Sequence, residues 1–221
     1  MAGRNAAVAH TAAMAAEDRL VDGMLRQSGI VRICNYTHLI LVGKALSMVP
    51  LPRGNRVSFL APSGAMLVAL SDLCTRLGLE VPDPTPETLH KLQEISPPYI
   101  RMRNPVDIWA AAASVKGVEF AYREGMEAVL KDPNIDAVVP ILMLAKETGM
   151  PDFNFMVDLA KRFPDKPILV SFTGDKSCID ECRAFLEPRQ IPTFLWIEEP
   201  FEVLSVLSRC AEVLRKTNRE K

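Results

Sequence analysis

Arg56-Val57-Ser58-Phe59-Leu60-Ala61-Pro62-Ser63-Gly64-Ala65-Met66-Leu67-Val68-Ala69-Leu70-Ser71-Asp72-Leu73-Cys74-Thr75-Arg76-Leu77-Gly78-Leu79-Glu80-Val81 is the stretch that decides the fold. Arg56 to Ala61 reads as a strand. Pro62 ends it, Ser63 is placed as the N-cap of a helix over residues 63–77, and Gly78 closes that helix. Leu79-Glu80-Val81 then starts another extended piece. Strand, small-residue turn, helix and return to extended chain form one step of a parallel α/β winding.

Downstream the alternation repeats. Thr85-Pro86 opens a helix over 86–95 with proline at its first position. A helix over 118–131 stops at Asp132-Pro133 and is followed by a continuously apolar strand over 137–143. Helix 153–163, strand 167–172, helix 177–186 capped by Ser177, strand 193–196 and helix 200–216 complete the pattern. Right-handed crossovers between parallel strands follow from that order. The expectation is an α/β, flavodoxin-like three-layer domain with a parallel sheet over about residues 54–216.

Upstream, Pro50-Leu51-Pro52-Arg53-Gly54-Asn55 reads as a linker, because two prolines and a glycine can neither continue a helix nor pair in a central strand. Before it, apolar spacing at Met14, Leu20, Val21, Met24 and Leu25 predicts a helix over 12–27 closed by Ser28-Gly29. A short strand over 30–33 and a helix over 36–48 are expected next. One strand cannot build a sheet, so residues 1–50 read as the incomplete helix-strand-helix tail of one domain and residues 51–221 as a second.

The 221 residues are 48% hydrophobic and carry 26 basic against 27 acidic side chains, a net charge of −1. That supports a substantial core and points away from nucleic acid and from anionic membrane surfaces. No apolar run approaches a membrane span, and no signal-peptide core follows Met1. Five scattered cysteines fit reduced thiols and a cytoplasmic location better than disulfides. Cys178 and Cys182 are one helical turn apart without a second ligand pair, so buried thiols are expected and no metal site.

The candidate chemistry begins at His10, a lone imidazole among small residues in Ala6-Ala7-Val8-Ala9-His10-Thr11-Ala12-Ala13-Met14-Ala15-Ala16. An unperturbed imidazole is partly neutral at cytosolic pH and can accept a transferable group; a solvent-exposed terminal histidine is the plain alternative. In doubly wound sheets, ligands bind beyond the carboxyl ends of the strands. There the turn Ser63-Gly64-Ala65 leaves helix-start amides able to bind an anion such as phosphate, unless Ser63 is only a cap and Gly64 only a packing necessity. Leu144 to Met150 forms a second wall, with Lys146 and Glu147 read as a solvated pair. Arg103-Asn104-Pro105-Val106-Asp107 has no place in a helix or strand and reads as a shaped loop, Asn104 restricted by the proline and Asp107 holding backbone amides. Trp109 reads as a core or interface aromatic, and His38 and His90 as structural.

Taken together these residues resemble the NDP-forming acyl-CoA synthetases, relatives of succinyl-CoA synthetase. Ala9-His10-Thr11-Ala12-Ala13-Met14-Ala15 is similar to the family's Ser-His-Thr-Gly-Ser-Leu-Ala loop. Pro50 to Val57 resembles the lead into its next domain, Ala61-Pro62-Ser63-Gly64-Ala65 its phosphate-facing helix start, and Asn104-Pro105-Val106-Asp107 its Asn-Pro-Val-Asp motif. The resemblance implies interconversion of acyl-CoA, NDP and phosphate with free acid, CoA and NTP through a phosphohistidine at His10, with Ser63 and Gly64 stabilising the phosphoryl charge. It further implies a CoA-binding Rossmann domain and an ATP-grasp domain or subunit as partners. CoA, nucleotide and Mg²⁺ would be used by the complete enzyme, none being bound by this chain alone, and the isolated chain would be inactive. Ala12 and Ala16 stand where the family loop has glycine, which stiffens the loop. That departure suits a second reading, a non-catalytic docking module of a multi-subunit assembly; a third, from fold alone, is a flavin or small-anion binder. A homodimer is a further possibility if the 1–50 segment buries its apolar faces on a second copy.

Overall fold

The computed structural model describes residues 17–33, 35–113, 117–148 and 151–219. In chain order the elements are α1 (Asp18–Gln27), α2 (Tyr36–Met48), β1 (Val57–Ala61), α3 (Gly64–Arg76), α4 (Pro86–Ile95), β2 (Val106–Asp107) and α5 (Trp109–Ala112). Then follow α6 (Gly117–Lys131), β3 (Ala137–Leu144), α7 (Asn154–Arg162), β4 (Val170–Gly174), α8 (Lys176–Leu186), β5 (Thr193–Phe194) and α9 (Glu199–Arg219). The five strands pair in the order β2-β1-β3-β4-β5, all parallel. This is the flavodoxin-like order.

Pleat alternation divides the core into two layers. Phe59 and Ala61 of β1, with Val139 and Ile141 of β3, face a layer closed by Leu70 of α3 and Phe201 of α9. Leu60, Val138 and Leu142 face the opposite layer, closed by Met126 of α6, Met156 of α7 and Cys182 of α8. Each fully buried large side chain stabilises the fold by about 1.5–3 kcal/mol. The edge-to-face contact of Phe59 and Phe201, centroids 5.1 Å apart, fixes how α9 sits on β1.

Two groups at the start of the strands hold the register. Arg56 donates to both carboxylate oxygens of Asp136 at 2.8 Å, joining the residues that precede β1 and β3. Asn104 Nδ2 donates to the carbonyls of Val57 and Pro82 at 3.0 and 2.9 Å. At the other end of the sheet Gly174 has φ +115°, and a Cβ there would overlap the Leu144 carbonyl oxygen. The close approach lets the Asp175 amide reach that same oxygen at 2.9 Å.

Several local expectations are corrected. Residues 30–33 enter no strand: Val31 and Ile33 pack against the α3/α9 layer while Arg32 is held by Asp18 and Asp22. The segment before the sheet is therefore a helix, an unpaired stretch and a helix. Val106 and Asp107, read as loop, form the edge strand β2, paired with Leu60 and Ala61. Ser177 is not a cap, because α8 begins at Lys176 and Asp175 holds the N-cap position. Thr85 does cap α4, its Oγ1 accepting from the Thr88 amide. Cys178 and Cys182 are buried thiols, and burial pushes Cys182 up to about 12.

α2 belongs to the packed body. Val42 and Ala45 are buried in the α3/α9 layer, and Lys44 donates to Glu187 Oε1 at 3.0 Å and to the Thr193 carbonyl. His38 Nε2 lies 2.7 Å from Glu202 of α9. α1 buries no residue.

Candidate functional site

The site is built at the carboxyl ends of the strands. β1 ends at Ala61, and Pro62 and Ser63 turn the chain into α3. Ser63 has extended N-cap geometry, φ −153° and ψ 124°, but its side chain makes no capping bond. The first intrahelical bond runs from the Leu67 amide to the Ser63 carbonyl at 3.1 Å. The amides of Gly64, Ala65 and Met66 consequently have no partner among the described residues. Gly64 and Ala65 are exposed, and nothing lies within 4 Å of where a Gly64 Cβ would be. Packing therefore does not require glycine there, and the three amides and the helix dipole face open space.

The neighbouring loops differ in one respect: each places a carboxylate on backbone amides. Asp107 Oδ1 accepts from the Trp109 amide at 3.1 Å, ahead of α5. Asp152 Oδ1 accepts from the Asn154 amide at 2.9 Å, at the start of α7. Asp175 Oδ2 accepts from the Lys146 amide at 2.9 Å and ties the loop after β3 to the loop after β4. Glu199 Oε2 accepts from the Leu195 and Trp196 amides at 3.1 and 3.2 Å. The turn after β1 has no such group among the described residues. An incoming anion meets less repulsion there than at the other helix starts of this edge.

The residues singled out from sequence fall into three places. Ser63, Gly64 and Ala65 form the open helix start. Asp107, at the carboxyl end of β2, flanks it, whereas Asn104 sits at the far end of β1 and braces Val57 and Pro82. The Asn104 Oδ1 is buried without a partner among the described residues. His10 lies outside the described residues, as do Cys34 and most of the loop after Ala112. Lys146 and Glu147 are exposed, and His90 is an exposed partner of Glu94 on α4. Asp152, Asp175 and Glu199 escaped the sequence reading; acidic residues beside each helix start were the available signal. Trp109, read as a core or interface aromatic, is 52% exposed, and Trp196 is 70% exposed. Among the described residues no group of three His, Cys, Asp or Glu side chains is placed to hold a metal ion, and no helix is long and apolar enough to cross a membrane.

The model of the Ligase-CoA domain matches residues 57–216, from the start of β1 to near the end of α9. The chain belongs to the Ligase-CoA domain family. It is 30% identical over 210 residues to an ADP-forming acetate–CoA ligase II of Archaeoglobus fulgidus, covering 95% of this chain and 31% of that one. It is 27% identical to the alpha subunit of an ADP-forming acetate–CoA ligase II of Pyrococcus furiosus, covering 91% of this chain and 43% of the relative. The chain thus spans 31% and 43% of the length of these two relatives. In fold it is similar to the dinucleotide forming acetyl-coenzyme A synthetase 1 of Candidatus Korarchaeum cryptofilum, solved in complex with phosphate and ADP. That match has a TM-score of 0.84 at 24% identity and covers 99% of this chain and 46% of the other.

Proposed function

We propose that this chain is the histidine-loop segment and Ligase-CoA domain of an NDP-forming acyl-CoA synthetase, and that the α3 start is its phosphoryl cradle. The observation that carries the reading is the set of open amides at Gly64, Ala65 and Met66, on a helix start that lacks the carboxylate contact found in the neighbouring loops. Phosphoryl transfer needs positioning and fixed dipoles around an oxygen-rich, loose transition state, and such amides supply both. Two findings on relatives agree: curated relatives are ADP-forming acetate–CoA ligases, and a structural neighbour is described with phosphate and ADP.

Phosphate attacks the thioester of acyl-CoA, the C–S bond breaks, and CoA leaves as the thiol with an acyl phosphate as co-product. The neutral imidazole of His10 attacks phosphorus, the bridging P–O bond breaks, and the free acid leaves as carboxylate. The phosphoryl group then passes from nitrogen to an NDP oxygen, giving NTP and restoring imidazole. Gly64, Ala65 and Met66, at the start of the helix that Ser63 opens, hold the phosphoryl oxygens through main-chain donors while the N–P bond forms and breaks.

Thioester and nucleotide need a CoA-binding Rossmann domain and an ATP-grasp domain or subunit, so the 221-residue chain alone does not turn over. Mg²⁺ finds no ligand set among the described residues, and the complementary domains would hold it. A cytoplasmic site of action suits these substrates. The test is incubation with the complementary domains, acyl-CoA and radiolabelled phosphate. Acid-labile label that disappears in His10→Ala is expected. A stable complex that never takes up label would instead favour a docking module.

A further inference from the structure

At the edge of the sheet opposite the α3 start, where β4 and β5 begin, the surface holds a cleft of about 360 Å³. A volume of that size suits a small molecule. Its walls are largely apolar: Val49 just past α2, Val157 of α7, Phe163 after it, Ile168 leading into β4 and Ile191 leading into β5. Lys161 from the last turn of α7, Lys166 and Arg189 share the lining, and no carboxylate does among the described residues. Two acidic side chains close to them in sequence are engaged elsewhere, Asp165 with Arg53 and Glu187 with Lys44 and Thr193. Cations at helix ends are ordinary partners of the helix dipole. Two of these also serve carbonyls, Lys166 Nζ donating to Asp132 at 2.5 Å and Arg189 Nη1 to Phe185 at 2.7 Å. Each keeps further N–H groups, and Lys161 has no partner among the described residues. Counter-charge is short around Lys166: burial lowers its ammonium below the ordinary range, outweighing attraction by Asp132 and Asp136, while Arg53 and Arg56 add repulsion.

Apolar walls beside under-compensated cations recognise a molecule with the same two parts, an apolar chain and one anionic end. Inorganic phosphate brings the charge without the chain, and an alcohol brings the chain without the charge. We infer that this cleft binds a short-chain monocarboxylic acid as its anion, the chain lying along Val157, Ile168 and Ile191 and the carboxylate meeting Lys161, Lys166 and Arg189. Such an acid is also the class of product that the proposed reaction releases. The ligand nevertheless follows from the lining of the cleft alone and does not depend on the α3 start being a phosphoryl cradle.

Titration of hexanoate, hexanol and inorganic phosphate into the 221-residue chain, with the amide resonances followed by NMR, tests the assignment. Hexanoate is expected to move the Val157, Lys166 and Ile191 amides saturably. Hexanol and phosphate are each expected to bind about tenfold more weakly or worse, one lacking the charge-assisted hydrogen bonds and the other the apolar contact. Each methylene removed from the acid should weaken it about fourfold. Lys161→Glu alters an exposed side chain that holds nothing else among the described residues. It should weaken hexanoate by about tenfold or more while hexanol binding and the melting temperature stay nearly unchanged. Hexanol as tight as hexanoate would reduce the cleft to an apolar hollow, and phosphate as tight would reduce it to a basic surface; either overturns the assignment. So do shifts confined to other amides, or hexanoate binding that Lys161→Glu leaves intact. No arm involves His10 or phosphoryl transfer, so failure here leaves the cradle reading standing, and loss of that reading leaves this site untouched.

Discussion

Gly64 is the residue at which function and packing separate most cleanly. A methyl group there would point into open space, and alanine is the better helix former. Gly64→Ala should therefore leave the melting temperature unchanged or slightly raised. It should also slow phosphoryl transfer by about tenfold, because the methyl stands where an anion must approach the amides. Thermal unfolding beside a label-uptake assay checks both, and a lowered melting temperature would return Gly64 to a packing role. Sequence suggested this turn because a strand, a small-residue turn and a helix in succession leave amides unpaired at the helix start. It could not tell that the Ser63 hydroxyl leaves the amides open, since N-cap residue identity does not fix the hydroxyl's partner. For the same reason Asn104 and Asp107, three residues apart, looked like one loop. Only pairing with β1 puts them at opposite ends of that strand.

At the scale of elements, legibility followed apolar pattern. β3 was plain because a parallel strand buried on both faces is apolar throughout. β2 has two residues and is recognisable only through its neighbour, while residues 30–33, as apolar as a strand, pack against a helix layer without ladder partners. Ion pairs between helices carried no periodic signal either. Glu127 of α6 accepts from Arg162 of α7 at 2.6 and 3.1 Å and lies 2.6 Å from Lys131. Hydrogen bonds from Arg162, then Lys131, hold its carboxyl down at about 2, against 4.5 ordinarily. A depressed carboxyl stabilises the fold above its unfolded value and loses that contribution as pH falls through its folded value. Both cations are half exposed or more, so the contribution is on the order of 1 kcal/mol, well below what the shift alone would give. Glu127→Gln should be less stable than wild type by that amount at pH 7, and the difference should shrink as pH falls from about 4.5 toward 2. Urea titrations across that range test it, and a difference independent of pH would mean that packing, not charge, was lost.

For the whole molecule, two divisions of the chain compete. Its prolines make residues 50–55 the obvious linker, and a division into 1–50 and 51–221 follows from sequence. Packing offers another division, because α2 contributes Val42 and Ala45 to the same layer as Phe59 and Phe201, whereas α1 buries nothing. Polar contacts follow the same line: Lys44 bridges to Glu187 and the start of β5, and burial of Glu187 is outweighed by bonds from Thr193 and Lys44 that hold its carboxyl low. Two shortened chains discriminate between the divisions. Residues 36–221 should unfold cooperatively with nearly the melting temperature of the full chain. Residues 51–221 should lose about 3 kcal/mol, from the apolar area α2 covers, or roughly 6–12 °C in melting temperature for a chain of this size, and should bind a hydrophobic dye. Equal stability of the two would place α2 with whatever precedes the sheet domain. A large loss already in 36–221 would show that the Arg32 bridge to Asp18 and Asp22, together with Val31 and Ile33, is part of the domain as well.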